Sequence, residues 1–358
     1  MAPEPTQGED GASVEDAVRE AVATRRERVD AAIPDDLPVE DPETLYEAAR
    51  QLFDAGGKRL RPGLTLLVAE ALTEIDESEI DYRSVPSLDR SDETVDVMAA
   101  ALSIEVIHSF TLIHDDIMDD DDMRRGVPAV HRSYDEATAI LAGDTLYSKA
   151  FEIMLRTEAP PERALSALEL LAKTCTKICE GQSLDVTFES RDDVSVEEYL
   201  DMVERKTAVL YAAAASVPAV LLGADEETVE ALYAYGVDVG TAFQIRDDIL
   251  DLTASSDQIG KSRGSDLVAG KRTLVTLHAS EQGVDVDELI DADDVESADP
   301  AAIDQAVAEI EAAGSLEFAR ERARDLARDG EAHLEVLPEG EPREILAGLA
   351  TFLVERSR

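Results

Sequence analysis

Apolar residues are spaced along most of this chain in the way that places them on one face of an α-helix. Polar, proline- or glycine-containing segments separate the helical stretches, and Ser195 with Glu198 has the spacing of a capping box at the start of one of them. No tandem repeat of solenoid length is visible, so the pattern predicts one all-α domain. The predicted helical stretches are residues 14–72 with interruptions at 34–42 and 56–57, 95–118, 134–156, 161–189, 195–222, 226–252, 271–281 and 301–356.

Three segments depart from the helical pattern. Residues 1–12 contain Pro, Glu, Gly and Gln with almost nothing apolar, and we expect them to be disordered. Residues 74–94 and 283–300 are polar and acidic, and we expect them to be surface insertions between helices. The predicted domain therefore spans residues 13–358.

The composition fits a helical protein of the cytoplasm. Hydrophobic residues make up 44% of the 358 residues and aromatic residues 4%, which allows a sizeable core with little strand-forming material. The first residues lack the basic and apolar regions of a signal peptide. The longest apolar stretch, residues 208–222, contains Pro218 and is shorter than the ~20 residues of a membrane span.

The chain is strongly acidic. Its 33 Lys and Arg residues and 80 Asp and Glu residues give a net charge of −47, and such a surface repels nucleic-acid phosphates and anionic lipid headgroups. Only 7 of the 33 basic residues are lysine. This composition suits a halophilic cytoplasm, where molar salt shortens the Debye length to about 3 Å; an acidic protein at ordinary salt is the alternative.

Two aspartate-rich sequences extend apolar helices. They are DDIMD at residues 115–119 and DDILD at residues 247–251. Residues four apart share a helical face, so the first and fifth aspartates of each sequence point together, with the second beside them. Carboxylates that repel one another at a helix C-terminus are unfavourable. A hard divalent cation such as Mg²⁺ would offset that cost.

A solvated acidic surface is the alternative explanation. It accounts for residues 120–122, which continue the first cluster, but poorly for carboxylates that extend apolar helices. Two DDxxD sequences, each on such a helix, are not expected from acidity alone. Facing helices of a bundle commonly build carboxylate metal sites in their core, and we expect that arrangement here.

The basic residues near these clusters suit a ligand that contains phosphate. Magnesium keeps coordination positions open for phosphate oxygens, and the remaining phosphate charge requires cations. Two arginines at 124–125 follow the first cluster, and residues 56–62 (GGKRLRP) form a basic turn. For any single basic residue a surface salt bridge is the alternative, but the set favours phosphate binding. The lysines in such segments are Lys58, Lys206, Lys261 and Lys271.

In their order along the chain, these sequences resemble the trans-polyprenyl diphosphate synthases, the family of farnesyl and geranylgeranyl diphosphate synthases, in a form most like a haloarchaeal-type geranylgeranyl diphosphate synthase. The resemblance covers residues 43–278 and rests on GGKRLRP, HDDIMD followed by RRG, GQSLD, KTA, FQIRDDILD and GKSRGSDLVAGKRT. It implies a single-domain isoprenoid synthase bundle, all-α around a deep central cavity, a homodimer, and Mg²⁺, with three ions when substrate is bound. The implied reaction condenses isopentenyl diphosphate with allylic diphosphates and releases diphosphate.

The resemblance also implies roles for individual residues. Those implied to bind magnesium are Asp115, Asp116, Asp119, Asp247, Asp248 and Asp251. Those implied to bind isopentenyl diphosphate are Lys58, Arg61, His108 and Arg125. Those implied to bind the allylic diphosphate are Arg124, Lys206, Thr207, Gln244, Lys261 and Lys271. Those implied to be catalytic are Asp115, Asp119, Asp247, Lys206, Thr207 and Gln244, and those implied to line the cavity are Gln182 and Asp185.

Product length is expected to depend on Phe110. It lies five residues before Asp115, or about 7.5 Å of helix, and its neighbour Thr111 is small. In the family, a bulky residue at the position of Phe110 without an adjacent aromatic resembles the geranylgeranyl-forming pattern, whereas farnesyl-forming members often add an aromatic at the position of Thr111. We therefore expect geranylgeranyl diphosphate (C20). Farnesyl or geranylfarnesyl diphosphate (C25) is the alternative within the family.

Four other functions compete with this interpretation. A class I terpene cyclase shares an aspartate-rich helix but has little use for Lys58, Arg61 and His108. A head-to-head squalene or phytoene synthase has a different aspartate spacing, and a non-catalytic subunit is expected to have lost some of the aspartates. A calcium-binding protein requires oxygen-rich loops with a turn glycine, whereas these clusters extend helices.

Overall fold

The structure is a computed structural model, and its contacts group the chain into two compact units. Unit 1 draws on Met1–Ala172, Ala213–Tyr233 and Leu334–Leu349, and unit 2 on Lys173–Ala212, Ala234–His333 and Ala350–Arg358. Within the described residues the chain is almost entirely helical, which confirms the predicted all-α fold. The residues that the structure describes are 10–89, 92–188, 190–191, 193–254, 263–290, 292 and 298–355.

Unit 1 is built around a helix that the apolar pattern identified. This helix, α4 (Val97–Met118), packs most extensively on α6 (Glu136–Met154) and then on α3 (Leu60–Thr73). Two short antiparallel ladders connect helices in this unit, β1 (Val85–Pro86) with β2 (Thr94–Val95) and β3 (Met123–Arg124) with β4 (Val127–Pro128). The helices are α1 (Asp10–Asp36), α2 (Glu43–Asp54), α3 (Leu60–Thr73), α4 (Val97–Met118), α5 (Val130–Ser133), α6 (Glu136–Met154) and the first part of α7 (Pro161–Phe188).

Unit 2 contains the end of α7 and a helix whose hydrogen-bonding pattern changes along its length. After α8 (Val196–Val203) the backbone forms a π-helical segment, Glu204–Ala208, and then continues as α9 (Val209–Leu222), which runs into unit 1. The predicted capping box of Ser195 and Glu198 is present at the start of α8. The later helices of this unit are α10 (Glu226–Thr253, from Ala234 onward), α11 (Ser265–Val268), α12 (Leu274–Glu281), α13 (Pro300–Ala312) and α14 (Ser315–His333), with a 3₁₀ turn at Val286–Glu288. The 3₁₀ turn Leu334–Val336 belongs to unit 1, and α15 (Glu341–Glu355) passes from unit 1 to unit 2 after Leu349.

The structure differs from the predicted boundaries in three places. Helix α1 begins at Asp10, inside the segment predicted to be disordered. The stretch predicted as one helix from 301 to 356 is three helices: Gly314 takes a φ of +79° that ends α13, and the 3₁₀ turn Leu334–Val336 follows the end of α14. The segment 283–300 contains the turn Val286–Glu288, and part of it lies outside the described residues.

The predicted acidic loop at 74–94 is anchored to the core of unit 1. Arg25 on α1 and Glu70 on α3 form an ion pair in which Arg25 Nε lies 2.8 Å from Glu70 Oε1, and the Tyr82 hydroxyl of the loop donates to the same oxygen at 2.6 Å. All three side chains are buried, and burial raises the pKa of Tyr82 well above its usual range. Breaking a buried ion pair typically costs about 3–5 kcal/mol, so this triad fixes a segment that composition alone assigns to solvent.

Two helical stretches are long and apolar enough to cross a membrane by composition. They are Val97–Met118 and Val196–Leu222, and 72% and 78% of their most apolar windows are buried inside the protein. That degree of burial is typical of core helices in a soluble protein, where neighbouring helices take the place of lipid.

Candidate functional site

The first aspartate cluster lies at the end of α4 in unit 1. Asp116 is fully buried, and its Oδ1 accepts a hydrogen bond from Arg124 Nε at 2.5 Å. Arg124 also donates to Asp121 Oδ2 at 2.8 Å. Burial raises the pKa of the Asp116 carboxyl, against the opposing effect of Arg124. Asp115 is half-buried and Asp119 is exposed, so the second aspartate of the cluster supports an arginine while the first and fifth remain accessible.

The second cluster, on α10 in unit 2, repeats this arrangement with other donors. Asp248 is buried, and its carboxylate accepts hydrogen bonds from Gln244 Nε2 at 3.0 Å and from the Tyr199 hydroxyl. Asp251 is also buried and accepts from Ser265 Oγ at 2.7 Å and from a backbone N–H of α11 at 3.1 Å. Asp247 is exposed. Burial raises the pKa of Asp248 to about 7.

The hydrogen bonds of Tyr199 and Gln244 at the second cluster could not be inferred from the sequence. Tyr199 was not identified from the sequence, because it is 49 residues from its partner Asp248. Gln244 was predicted to be catalytic and to bind the allylic diphosphate, and in this structure its amide nitrogen donates to Asp248 while its amide oxygen accepts from Thr207 Oγ1 at 3.1 Å. A continuous hydrogen-bonded chain thus joins the π-helical segment to the second cluster.

The π-helical segment carries two predicted site residues, Lys206 and Thr207. Lys206 Nζ pairs with Asp185 of α7, which brings together two of the predicted residues. The neighbouring Gln182 has both amide atoms buried without a hydrogen-bond partner among the described residues. Gly181 explains the close approach of α7: a Cβ at this position would lie 2.3 Å from the backbone nitrogen of Lys206 and 2.7 Å from its Cα.

The predicted binding residues for isopentenyl diphosphate lie together in unit 1. Arg61 Nη1 is 3.1 Å from His108 Nε2, and because a guanidinium can only donate, this ring nitrogen accepts the hydrogen bond. Burial holds the pKa of His108 well below its ordinary value, and four nearby arginines add to the effect. The ring is therefore neutral at pH 7. Lys58 is exposed.

Arg125 has contacts that its sequence position did not reveal. Its Nη1 donates to the backbone oxygens of Leu52 at 2.9 Å and Gly56 at 2.7 Å. Two further charged residues of this region, Arg59 and Glu105, were not singled out from the sequence, although a lone carboxylate within an apolar helix was an available signal for Glu105. Both are buried and paired with each other at 2.7 Å.

The remaining predicted residues divide between the units. Lys271 Nζ lies 3.9 Å from Asp266 Oδ1, and Lys261 lies outside the described residues. The Phe110 ring contacts Tyr147 of α6 edge to face with 5.2 Å between ring centroids, and Tyr147 contacts the next ring along α6 at 5.3 Å. Thr111 Oγ1 donates to the backbone oxygen of His108 at 2.8 Å.

The donor set fits magnesium. In the part of the chain that the structure describes, no three His, Cys, Asp or Glu side chains are grouped as a complete metal site. Accessible carboxylates such as Asp115, Asp119 and Asp247 suit an ion that takes one or two protein carboxylates and completes its octahedron with water and phosphate oxygens.

Three comparisons with known proteins agree on one family. The family model described as Polyprenyl synthetase matches residues 42–310. The geranylfarnesyl diphosphate synthase of Natronomonas pharaonis is 64% identical over 342 residues, covering 96% of this chain and 98% of the relative. The geranylgeranyl diphosphate synthase of Methanosarcina mazei is 47% identical over 335 residues, covering 94% and 97%. The solved geranylgeranyl pyrophosphate synthetase from Geoglobus acetivorans matches with a TM-score of 0.82 at 43% identity, covering 94% of this chain and 99% of that chain.

The contact of Gly181 with the π-helical segment predicts a large penalty for Gly181→Ala. The added methyl would meet backbone atoms of Lys206 that cannot rotate away, so we expect a loss of about 1–3 kcal/mol in the free energy of unfolding. Urea unfolding at constant KCl measures it. Gly330→Ala is the matched control, because that buried helical glycine has only side-chain atoms nearby, at 3.4 Å or more. Equal stability of the two variants would contradict the prediction.

The lowered pKa of His108 predicts a pH-dependent stability. As pH falls from 7 to 5, the unfolded chain binds a proton at this residue near pH 6.5, whereas the folded chain does not until lower pH. The free energy of unfolding of the parent should therefore decrease, and His108→Gln should lack this contribution. Urea unfolding at pH 7, 6 and 5 compares the two proteins. A difference between them that stays constant with pH would refute the prediction.

Proposed function

The chain belongs to the polyprenyl synthetase family and is a short-chain trans-prenyl diphosphate synthase, and on that premise we propose that its main product is geranylgeranyl diphosphate (C20). Isopentenyl diphosphate would condense in turn with allylic diphosphates of C5, C10 and C15, and each cycle would release diphosphate. The observation that carries the proposed chemistry is the arrangement repeated in both aspartate clusters. In each, an accessible first aspartate precedes a buried second aspartate whose carboxylate accepts a hydrogen bond from the protein.

The family is magnesium-dependent, and the proposed ligands of magnesium are Asp115, Asp119 and Asp247, with three ions in the substrate complex. Bound Mg²⁺ supplies positive charge for the departing diphosphate. The buried aspartates support this arrangement indirectly, because they orient other polar groups. The supporting aspartates are Asp116, Asp248 and Asp251.

In the proposed reaction, the bond between the allylic carbon and the diphosphate oxygen breaks, and its electron pair leaves with the diphosphate. The cations assigned to this diphosphate neutralise the charge, and Thr207 and Gln244 lie beside Lys206 at the reacting end. The alkene of isopentenyl diphosphate then forms the new carbon–carbon bond, and loss of a proton, assigned to the released diphosphate, restores a double bond. The cations assigned to the allylic diphosphate are Arg124, Lys206, Lys261 and Lys271.

The second diphosphate is assigned to the basic loop of unit 1. Lys58 and Arg61 bring positive charge to a chain whose net charge is −47, and Arg61 is held by the neutral ring of His108. Arg125 belongs to the same cluster. Such a concentration of cations in an acidic protein favours a polyanionic ligand at this loop.

The proposed limit on chain growth is the edge-to-face contact of Phe110 with Tyr147. Two aromatic rings in contact fill more space than Phe110 alone and would stop the growing tail. Geranylfarnesyl diphosphate (C25) is the second candidate product, and it is favoured by the name of the Natronomonas pharaonis relative.

The proposed assembly is a homodimer in the cytoplasm, with neither nucleic acid nor a membrane span as a partner. Helix α6 supports the dimer, because several of its large apolar side chains are exposed in this single chain. Light scattering at molar KCl tests it, and a mass of one chain would exclude it. The exposed side chains are Ile140, Leu141 and Tyr147.

The assignment of metal ligands predicts severe defects in Asp115→Asn and Asp247→Asn. Each should lower kcat roughly a hundredfold or more, because the leaving diphosphate loses its charge stabilisation. Incorporation of labelled isopentenyl diphosphate with an allylic primer and Mg²⁺ measures the rate, and a chelator should abolish it. Asp122→Asn is the matched control in the acidic run, where Asp122 pairs with Arg132 at the surface, and its rate should stay within about threefold. Full activity of both site variants would overturn the proposed function.

The assignment of the chain-length limit predicts that Phe110→Ala makes longer products. Removing the ring should shift the main product by at least one C5 unit, because Tyr147 alone would leave space for the tail. Chromatographic sizing of products from C5, C10 and C15 primers measures the shift, with the exposed Leu165→Ala on α7 as control. A C25 product from the parent would favour the second candidate. An unchanged product from Phe110→Ala would show that Phe110 is not the limit.

A further inference from the structure

We propose that Glu105 is a positioning residue for the loop that binds isopentenyl diphosphate, because it holds the guanidinium groups of Arg59 and Arg125 directly beneath that loop. This inference rests on the proposed function of the loop. It gives a role to Glu105 and Arg59, to which neither the motifs nor the comparisons assign one, and it explains how a glycine-containing turn keeps its cations in place.

Glu105 is a buried carboxylate in the middle of α4. Its side chain is 2% exposed and lies among apolar residues of the helix. Its Oε1 accepts a hydrogen bond from Arg59 Nη1 at 2.7 Å, and the same oxygen lies 3.7 Å from Arg125 Nη2. Glu105 therefore lies between two guanidinium groups of like charge and offsets their repulsion in a poorly hydrated space, and Asp30 provides a second carboxylate for Arg59.

Arg59 joins three helices of unit 1 at the start of α3. Besides Glu105, its Nε donates to Asp30 Oδ1 at 2.8 Å and its Nη2 donates to the backbone oxygen of Phe53 at 2.9 Å. The side chain is fully buried, and the backbone takes a left-handed φ of +49°. This conformation is unfavourable for an arginine, and the three interactions of the side chain compensate for it.

The loop itself rests on the two guanidinium groups. A Cβ added to Gly57 would lie 3.0 Å from Cζ and Nη1 of Arg125 and 3.1 Å from Nη1 of Arg59. Arg125 is fixed from the other side by the backbone oxygens of Leu52 and Gly56. The backbone of the loop therefore packs on two guanidinium groups whose position depends on Glu105. Lys58, which is assigned to the diphosphate, directly follows Gly57 in the chain.

The charges of Arg59 and Arg125 explain why these two guanidinium groups need a fixed carboxylate and not only close packing. Burial lowers the pKa of Arg125, Glu105 opposes that effect, and Arg59 adds to it. Without the carboxylate the two guanidinium groups would separate or recruit solvent, and the loop backbone that lies on them would move. A displacement of about 1 Å in a substrate-positioning group is enough for a large kinetic effect.

The test uses steady-state kinetics of Glu105→Gln and Gly57→Ala in the full-length enzyme. Both should raise the KM for isopentenyl diphosphate roughly tenfold, while the KM for the allylic diphosphate changes less than about twofold and kcat less than about threefold. Gly57→Ala changes no charge, so it keeps the test valid if Glu105→Gln folds poorly. Gly63→Ala on α3 is the matched control, because an added Cβ there meets nothing within 4 Å.

The outcomes separate the inference from the function on which it rests. If the parent forms no longer prenyl diphosphate, the proposed function fails. If the parent is active but Glu105→Gln leaves the KM for isopentenyl diphosphate unchanged, or raises both KM values equally, the positioning role of Glu105 is wrong. An unchanged KM in Gly57→Ala would show that the loop does not depend on the guanidinium groups beneath it, which also contradicts the inference. A rise confined to isopentenyl diphosphate in both variants, with none in Gly63→Ala, supports it.

Discussion

Repulsion between neighbouring carboxylates is the constraint on which the arrangement of both aspartate clusters depends. Consecutive aspartates at positions 115–116 and 247–248 place like charges on adjacent positions of one helix. The protein separates their roles by burial. The second aspartate of each pair is buried and accepts hydrogen bonds, from Arg124 in one case and from Gln244 and Tyr199 in the other. The first aspartate can then remain accessible to a cation.

The same principle governs the cations of unit 1. Arg59 and Arg125 lie close enough to repel each other, and Glu105 holds them together as Arg124 holds Asp116. Buried partners therefore hold the charged groups of both sites in position. Groups that we propose to face the ligand are supported by buried groups of opposite charge or by neutral donors. A net charge of −47 makes this support more demanding, because an unpaired buried carboxylate finds few lysines or arginines to neutralise it.

The sequence allowed those parts of the site to be predicted whose residues are neighbours along a helix. Helical spacing was enough to place the aspartates of each cluster on one face, and the capping box of Ser195 and Glu198 needed only a three-residue rule. Arg59 and Glu105 are 46 residues apart in sequence, so no local rule could join them. Arg125 was predicted as a ligand-binding residue, and sequence could not show that it also binds backbone oxygens of the preceding loop. The family was identified because its motifs are short and local, whereas the proposed limit on product length lies in the packing around Phe110, which the sequence does not define.

The π-helical segment Glu204–Ala208 makes this part of the chain sensitive to changes in length. A π turn holds one residue more than the α-helix would place in the same span. Deleting one of its five residues would let the backbone return to α-helical hydrogen bonding over the same span, so α9 would keep its orientation and its buried face. Lys206 and Thr207, which lie inside the segment, would lose their present positions opposite Asp185 and Gln244. A one-residue deletion here should therefore disturb these polar contacts while leaving the packing of α9 intact.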